Sequence, residues 1–115
     1  MLRREDAFRL RHMLDASREA IGFAAGKTRG DLGSDRQLTL SLVRCLEIIG
    51  EAAAQVSGEC RDACRQVAWA DMIAMRNRLI HAYFDVNLSI VWRTVRDDLP
   101  CLVAALNEIL SEEEA

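Results

Sequence analysis

Aromatic side chains make up only 5% of this 115-residue sequence, and the β-branched runs that build strands are missing. Ala, Leu, Arg and Glu dominate instead, and all four are good helix formers, so the chain is expected to be all-α. Lysine is also nearly absent, Lys27 being the sole one. The arginine bias is what a GC-rich coding sequence would give, although the forked guanidinium also suits phosphate. Positive charge is not in excess, since the formal net charge is −3. That excludes a surface that grips nucleic acid through its overall charge. Any such contact must come from a local cluster, or from one doubled by dimerisation. No apolar run approaches the roughly 20 residues that span a bilayer, and Met1-Leu-Arg-Arg-Glu-Asp6 leads into no apolar signal segment. The expectation is a cytoplasmic chain without a membrane partner, its four cysteines reduced. Gly26-Lys-Thr28 lacks the earlier glycine and the preceding strand of a phosphate loop.

Hydrophobic residues are plentiful at 50%, enough for one core, and neither a repeat nor a linker divides residues 1–115. Leu10, Met13, Leu14, Ser17, Ile21, Ala24 and Ala25 lie on one stripe of a first helix, from about 5 to 25. A second helix should start after Ser34 or Asp35 and reach about Val56. Its core face is Leu38, Leu42, Cys45, Leu46, Ile49, Ala52, Ala53 and Val56, and Arg44, Glu47, Glu51 and Gln55 form a second stripe. A short turn over 59–67 and a long helix over 69–83 follow. A last amphipathic segment begins after Asn87, a plausible cap, and carries Leu88 to Leu110. Pro100, the one proline, should kink it or open a new first turn capped by Asp98. Glu112–Glu114 at a helix C-terminus oppose the helix dipole and should fray.

The chemically distinctive stretch is Arg76-Asn-Arg-Leu-Ile-His-Ala-Tyr83. On a helical wheel Trp69, Ile73, Arg76, Ile80 and Tyr83 share one face, and Asn77, Arg78 and His81 share another. Arg76 therefore stands in the register of the buried stripe, where an unpaired charge is costly. Glu47 and Glu51, one turn apart, are the expected partners. Read without that context, Arg76 is a paired core arginine, His81 a helix-end residue facing water, and Tyr83 a core aromatic. Other signals point to structure. Cys60 and Cys64 sit one turn apart but lack further ligands nearby, so no metal site is expected. Cys45 and Cys101 read as small core residues, His12 as solvated, and Trp69 and Trp92 as core anchors.

Arg76-Asn77 through His81-Ala-Tyr83 resembles the Arg-x4-His-x-Tyr motif of HepT-like proteins, a branch of the HEPN superfamily. Arg44-Cys-Leu-Glu47-Ile-Ile-Gly-Glu51-Ala resembles that family's second-helix segment, and Trp69–Tyr83, Val91-Trp92 and Leu99-Pro100 resemble its later blocks. The resemblance implies a four- to five-helix up-and-down bundle that forms a homodimer, with two copies of the motif meeting across the two-fold axis. It also implies a metal-independent ribonuclease without a cofactor, the toxin of a type VII-like toxin–antitoxin module. The implied partner is an MntA-type nucleotidyltransferase antitoxin that attaches AMP to the motif tyrosine, here Tyr83.

Residue chemistry fits such a role. Metal-free RNA cleavage needs a base for the 2′-OH proton, an acid for the leaving 5′-oxygen and positive charge on the phosphorane. His81 exchanges protons near neutral pH, and the second His81 of a dimer is its natural complement. Arg76 would stabilise the phosphorane, Asn77 would orient phosphate or His81, and Arg78 would add RNA-binding charge. Two other readings stand beside this one. In the first, the chain is a non-catalytic module binding a nucleotide or substrate for a nucleotidyltransferase. In the second, it is an interaction domain whose motif only steadies the dimer.

Overall fold

The computed structural model describes residues 2–81 and 87–114, apart from the side chains of 80, 81 and 114. All regular elements among the described residues are helical. They are α1 (Arg4–Ala24), α2 (Asp31–Ser34), α3 (Arg36–Gln55), α4 (Gly58–Ala63), α5 (Trp69–His81), α6 (Leu88–Arg93), a π-helical turn (Thr94–Asp98) and α7 (Leu99–Glu114). The all-helical, up-and-down bundle read from the sequence is what forms. α2 is an addition, a single turn that closes the glycine-bounded loop before α3.

The helix starts are set by local side chains. Asp35 accepts from the Leu38 N–H at 3.0 Å, Ser57 Oγ from the Cys60 N–H at 3.2 Å, and Asn87 Oδ1 from the Ile90 N–H at 3.1 Å. Each satisfies one of the orphan donors of a first turn. Ser57 thus begins α4, just after Val56 has closed α3.

α3 packs on α1 on one side and on α5 on the other, while α1 also packs on α7. Leu10, Met13, Leu42, Ile49, Leu99 and Leu106 are almost wholly enclosed between these helices. Each buried aliphatic side chain contributes about 1.5–3 kcal/mol of transfer free energy, which outweighs the weak propensity of any one segment.

Three local expectations are corrected. Cys101 is exposed and not a core residue, because the core face of α7 is made by Leu99, Leu102, Leu106, Ile109 and Leu110. Asp98 lies inside the π turn and does not cap a new helix. The Leu99 N–H reaches back to the Thr94 carbonyl, and the helix runs on through Pro100. Pro100 has no N–H to give and its ring crowds the preceding carbonyls, so the widened turn relieves a strain that would otherwise break the helix. The acidic tail is also anchored: the Leu2 N–H donates to both oxygens of Glu113, at 2.8 and 3.0 Å. A carboxylate that opposes the dipole of its own helix is here placed beside the N-terminus of α1, where negative charge is favoured.

One buried charge was not anticipated. Asp6 is 4% exposed and accepts from Ser57 N–H at 2.8 Å and Ser57 Oγ–H at 2.7 Å, tying the start of α1 to the start of α4.

Candidate active site

α5 begins where the Trp69 indole N–H donates to the Cys64 carbonyl at 2.9 Å, fixing the helix start against α4. Trp69, Met72 and Leu79 are buried, whereas Ile73, Met75 and Arg76 are half-buried and Asn77 and Arg78 exposed. The buried stripe is therefore centred on Met72 and Leu79, turned from the Trp69–Ile73 register expected from the wheel. Arg76 falls between Trp69 and Met72 on the wheel, within this stripe, and is half-buried with part of its side chain in reach of solvent.

The close packing of Arg76 has a cause on the facing helix. A Cβ built at Gly50 of α3 would overlap Arg76 Cβ and lie 2.8 Å from the Met72 carbonyl oxygen and 3.0 Å from Arg76 Cγ. Glycine is thus the residue that lets α3 and α5 cross at this point, with the Arg76 stem laid directly on the α3 backbone. Gly50 went unnoticed in the sequence, although a buried glycine in mid-helix is itself a signal of close approach.

The guanidinium is held from its own helix. Arg76 Nη1 donates to Asn77 Oδ1 at 3.1 Å. Its Nε is buried and lacks a hydrogen-bond partner among the described residues. The expected ion pairs do not form within one chain: among the described residues neither Glu47 nor Glu51 pairs with Arg76. Glu47 is half-buried and Glu51 exposed, both on the outward stripe of α3. An unpaired buried N–H costs about 1–3 kcal/mol, so the arginine is poised for an acceptor that the described residues do not provide. Asn77 acts on Arg76 itself, a role that its place on the other side of the wheel did not suggest.

The structure brings Arg76, Asn77 and Arg78 together at the end of α5 that also carries the backbone of His81. The His81 side chain and Tyr83 lie outside the described residues. Among the described residues, no group of three or more His, Cys, Asp or Glu side chains could hold a metal ion. Burial, with the neighbouring Cys64 and Asp6 adding to it, pushes the Cys60 thiol up to about 12, and burial also raises Cys45. Both thiols stay protonated and are core residues rather than ligands or nucleophiles.

Comparison with known proteins bears on the same stretch. The family described as "Ribonuclease HepT-like" matches residues 13–109, which includes all of α3 and α5. The chain belongs to the ribonuclease HepT-like family. A HepT-like relative from Caldanaerobacter subterraneus subsp. tengcongensis, provisionally named an RNase, is 38% identical over 105 residues, 91% of this chain and 94% of the relative. One from Thermococcus cleftensis, provisionally named ribonuclease HepT, is 38% identical over 72 residues, 63% of this chain and 66% of the relative. One from Methanocaldococcus jannaschii, provisionally named an RNase, is 30% identical over 88 residues, 76% of this chain and 81% of the relative. No solved structure matches the HepT-like chain. No helix of the described residues is long and apolar enough to cross a membrane.

Proposed function

We propose that this chain is a metal-independent ribonuclease, the toxin of a type VII-like toxin–antitoxin module, acting through a composite site that two copies build from Arg76 and His81 of each. The observation that carries this reading is Arg76 itself: a guanidinium whose stem lies on Gly50 and whose Nη1 is held by Asn77, its Nε without an acceptor among the described residues, in a HepT-like chain whose relatives are named RNases.

The chemistry follows from the residues. His81 of one copy takes the 2′-OH proton as the 2′-oxygen attacks phosphorus. Arg76 stabilises the charge on the phosphorane, where a preorganised donor is worth most. The second His81 gives its proton to the leaving 5′-oxygen, producing a 2′,3′-cyclic phosphate and a free 5′-hydroxyl. Asn77 positions Arg76, and Arg78 adds charge along the RNA path. Neutralisation follows when an MntA-type nucleotidyltransferase attaches AMP to Tyr83, adding negative charge and bulk to the motif.

Arg76→Ala and His81→Ala are expected to lower RNA cleavage and growth arrest at least ~100-fold, the usual scale for loss of a general acid–base or charge-stabilising group. Helicity and oligomeric mass should not change. Intact-mass measurement after co-expression with the nucleotidyltransferase should show added AMP that Tyr83→Phe removes. Unmodified wild-type protein that leaves all cellular RNA intact overturns the nuclease. Tight nucleotide binding in that same sample would select the binding module.

A further inference from the structure

Outside the motif, the charges of this acidic chain are unevenly placed. Asp6 ties the start of α4 to α1, and the Leu2 N–H ties the end of α7 there as well. Glu59, Asp62, Glu112 and Glu113 therefore gather at one end of the bundle. The opposite end carries Lys27, Arg29, Arg36 at the start of α3, and Arg93 at the end of α6, all exposed. The 21 residues of α1 run from one end to the other, a separation of about 30 Å. Acids near these cations are already engaged. Asp31 accepts from the Thr28 N–H at 2.7 Å, Asp35 caps α3, and Asp97 pairs with Arg96 at 3.0 Å. Among the described residues, none of Lys27, Arg29, Arg36 and Arg93 forms an ion pair.

One contact orders this basic end. Arg29 Nε donates to Ser89 Oγ at 3.1 Å, where α2 meets α6. Among the described residues the guanidinium uses only that donor, and its two terminal nitrogens can present a fork to an anion. Ser89 accepts from Arg29 and keeps its own hydroxyl proton to give. Arg93 stands one turn beyond Ser89 on the same exposed side of α6. Two guanidiniums thus flank one hydroxyl, three donors suited to a phosphate oxygen.

We propose that Arg29, Ser89 and Arg93 hold a backbone phosphate of the RNA strand at a distance from the bond that is cut. The inference rests on the reading of the chain as a ribonuclease, and it names where the substrate is anchored outside the motif. Ser89 follows His81 by eight residues, which keeps the two within about 28 Å of each other even at full extension. One strand can reach both. A strand suits this surface better than a lone phosphate does. Exposed arginines hold a single small anion weakly, whereas a polyanion is steered by the field of the whole end and releases counterions at each contact. Such a contact fixes the register of the strand without reading its bases.

The test is the binding of a 2′-O-methyl RNA strand of about 20 nucleotides, long enough to cover an extended site. Lacking the attacking hydroxyl, it stays intact. Fluorescence anisotropy with the full chain, between about 50 and 200 mM salt, gives affinity and salt slope, and circular dichroism verifies folding. Arg29→Ala and Arg93→Ala should each weaken binding about fivefold at the lowest salt and reduce the slope by about 0.7, the value of one single-strand phosphate contact. Arg65→Ala removes the same charge from an exposed position at the acidic end and should change neither quantity. Unchanged slopes in Arg29→Ala and Arg93→Ala overturn the anchor. An equal loss in Arg65→Ala also overturns it, since the attraction would then be diffuse, and so does a wild type that leaves the strand unbound. Cleavage is judged separately, by wild type and His81→Ala on unmodified RNA. Slopes that shift as expected, with wild type leaving unmodified RNA whole, uphold the anchor and sink the nuclease.

Discussion

Gly50→Ala tests the crossing on which the position of Arg76 depends. The added methyl would overlap Arg76 Cβ and sit 2.8 Å from the Met72 carbonyl oxygen. Both atoms are fixed by the α5 backbone, so neither can swing aside, and the two helices must part by roughly an ångström to restore ordinary contact. Overpacking of that kind costs about 1–3 kcal/mol, and a backbone clash belongs at the upper end. Replacing glycine by alanine inside a helix returns about 1 kcal/mol of propensity, leaving a net loss of about 2 kcal/mol. Gly22→Ala isolates the propensity gain, because Gly22 also lies inside a helix and a Cβ there meets nothing within 4 Å. Urea unfolding at one fixed protein concentration should therefore show Gly22→Ala more stable than wild type by about 1 kcal/mol and Gly50→Ala less stable, a shift of several degrees in Tm. RNA cleavage should fall in Gly50→Ala, whose Arg76 is displaced, and persist in Gly22→Ala. If Gly50→Ala gains as much stability as Gly22→Ala, the close crossing is not there and the argument fails.

Asp6→Ala removes both acceptors of Ser57 and should cost about 1.5–3 kcal/mol in the same urea assay, the range for hydrogen bonds to a buried charged group; a neutral outcome would mean that α1 and α4 are not tied there. Asn77→Ala frees Arg76 Nη1 and should lower kcat about tenfold with little change in KM, as loss of a positioning contact does; an effect on KM alone would make Asn77 a binding residue. Native protein treated with iodoacetamide at pH 8 should take up label at the exposed Cys101, and Cys101→Ser should abolish the fast uptake. Cys60, held up to about 12, and Cys45, raised by burial, remain neutral thiols throughout that pH range and should react only on unfolding.

The helix pattern was legible because amphipathic period and capping residues agree along most of the chain. Every residue assigned to the core face of α3 is buried, and Asp35 and Asn87 cap where they should. Arg76 was found, but its surroundings were not. A helical wheel places a side chain to within about one residue: Met72 and Leu79 joined Trp69 on the buried face, and Arg76 stands among them, its stem against α3 and its side chain only half-buried. The assumption that a buried cation must pair with the nearest acids then failed, because Asn77 on the same helix supplies one contact and the Nε has no acceptor among the described residues. Gly50 and Asp6 were invisible for a related reason: both act through a neighbour distant in sequence, and the Asp6–Ser57 contact spans 51 residues. Periodicity reports which face is inward, not what waits there.

The π turn has a consequence for how this chain tolerates a change in length. Val91, Val95 and Leu99 recur every four residues and are all buried. At 3.6 residues per turn such a spacing would drift about 40° per step. The wide turn at Thr94–Asp98 absorbs the drift, so the faces before and after it both look inward. Taking out one residue within that turn would convert it to an ordinary α-helical one with both flanks still aligned. The same deletion in the middle of α7 would instead swing everything beyond it by about 100° and carry Leu106, Ile109 and Leu110 out toward water.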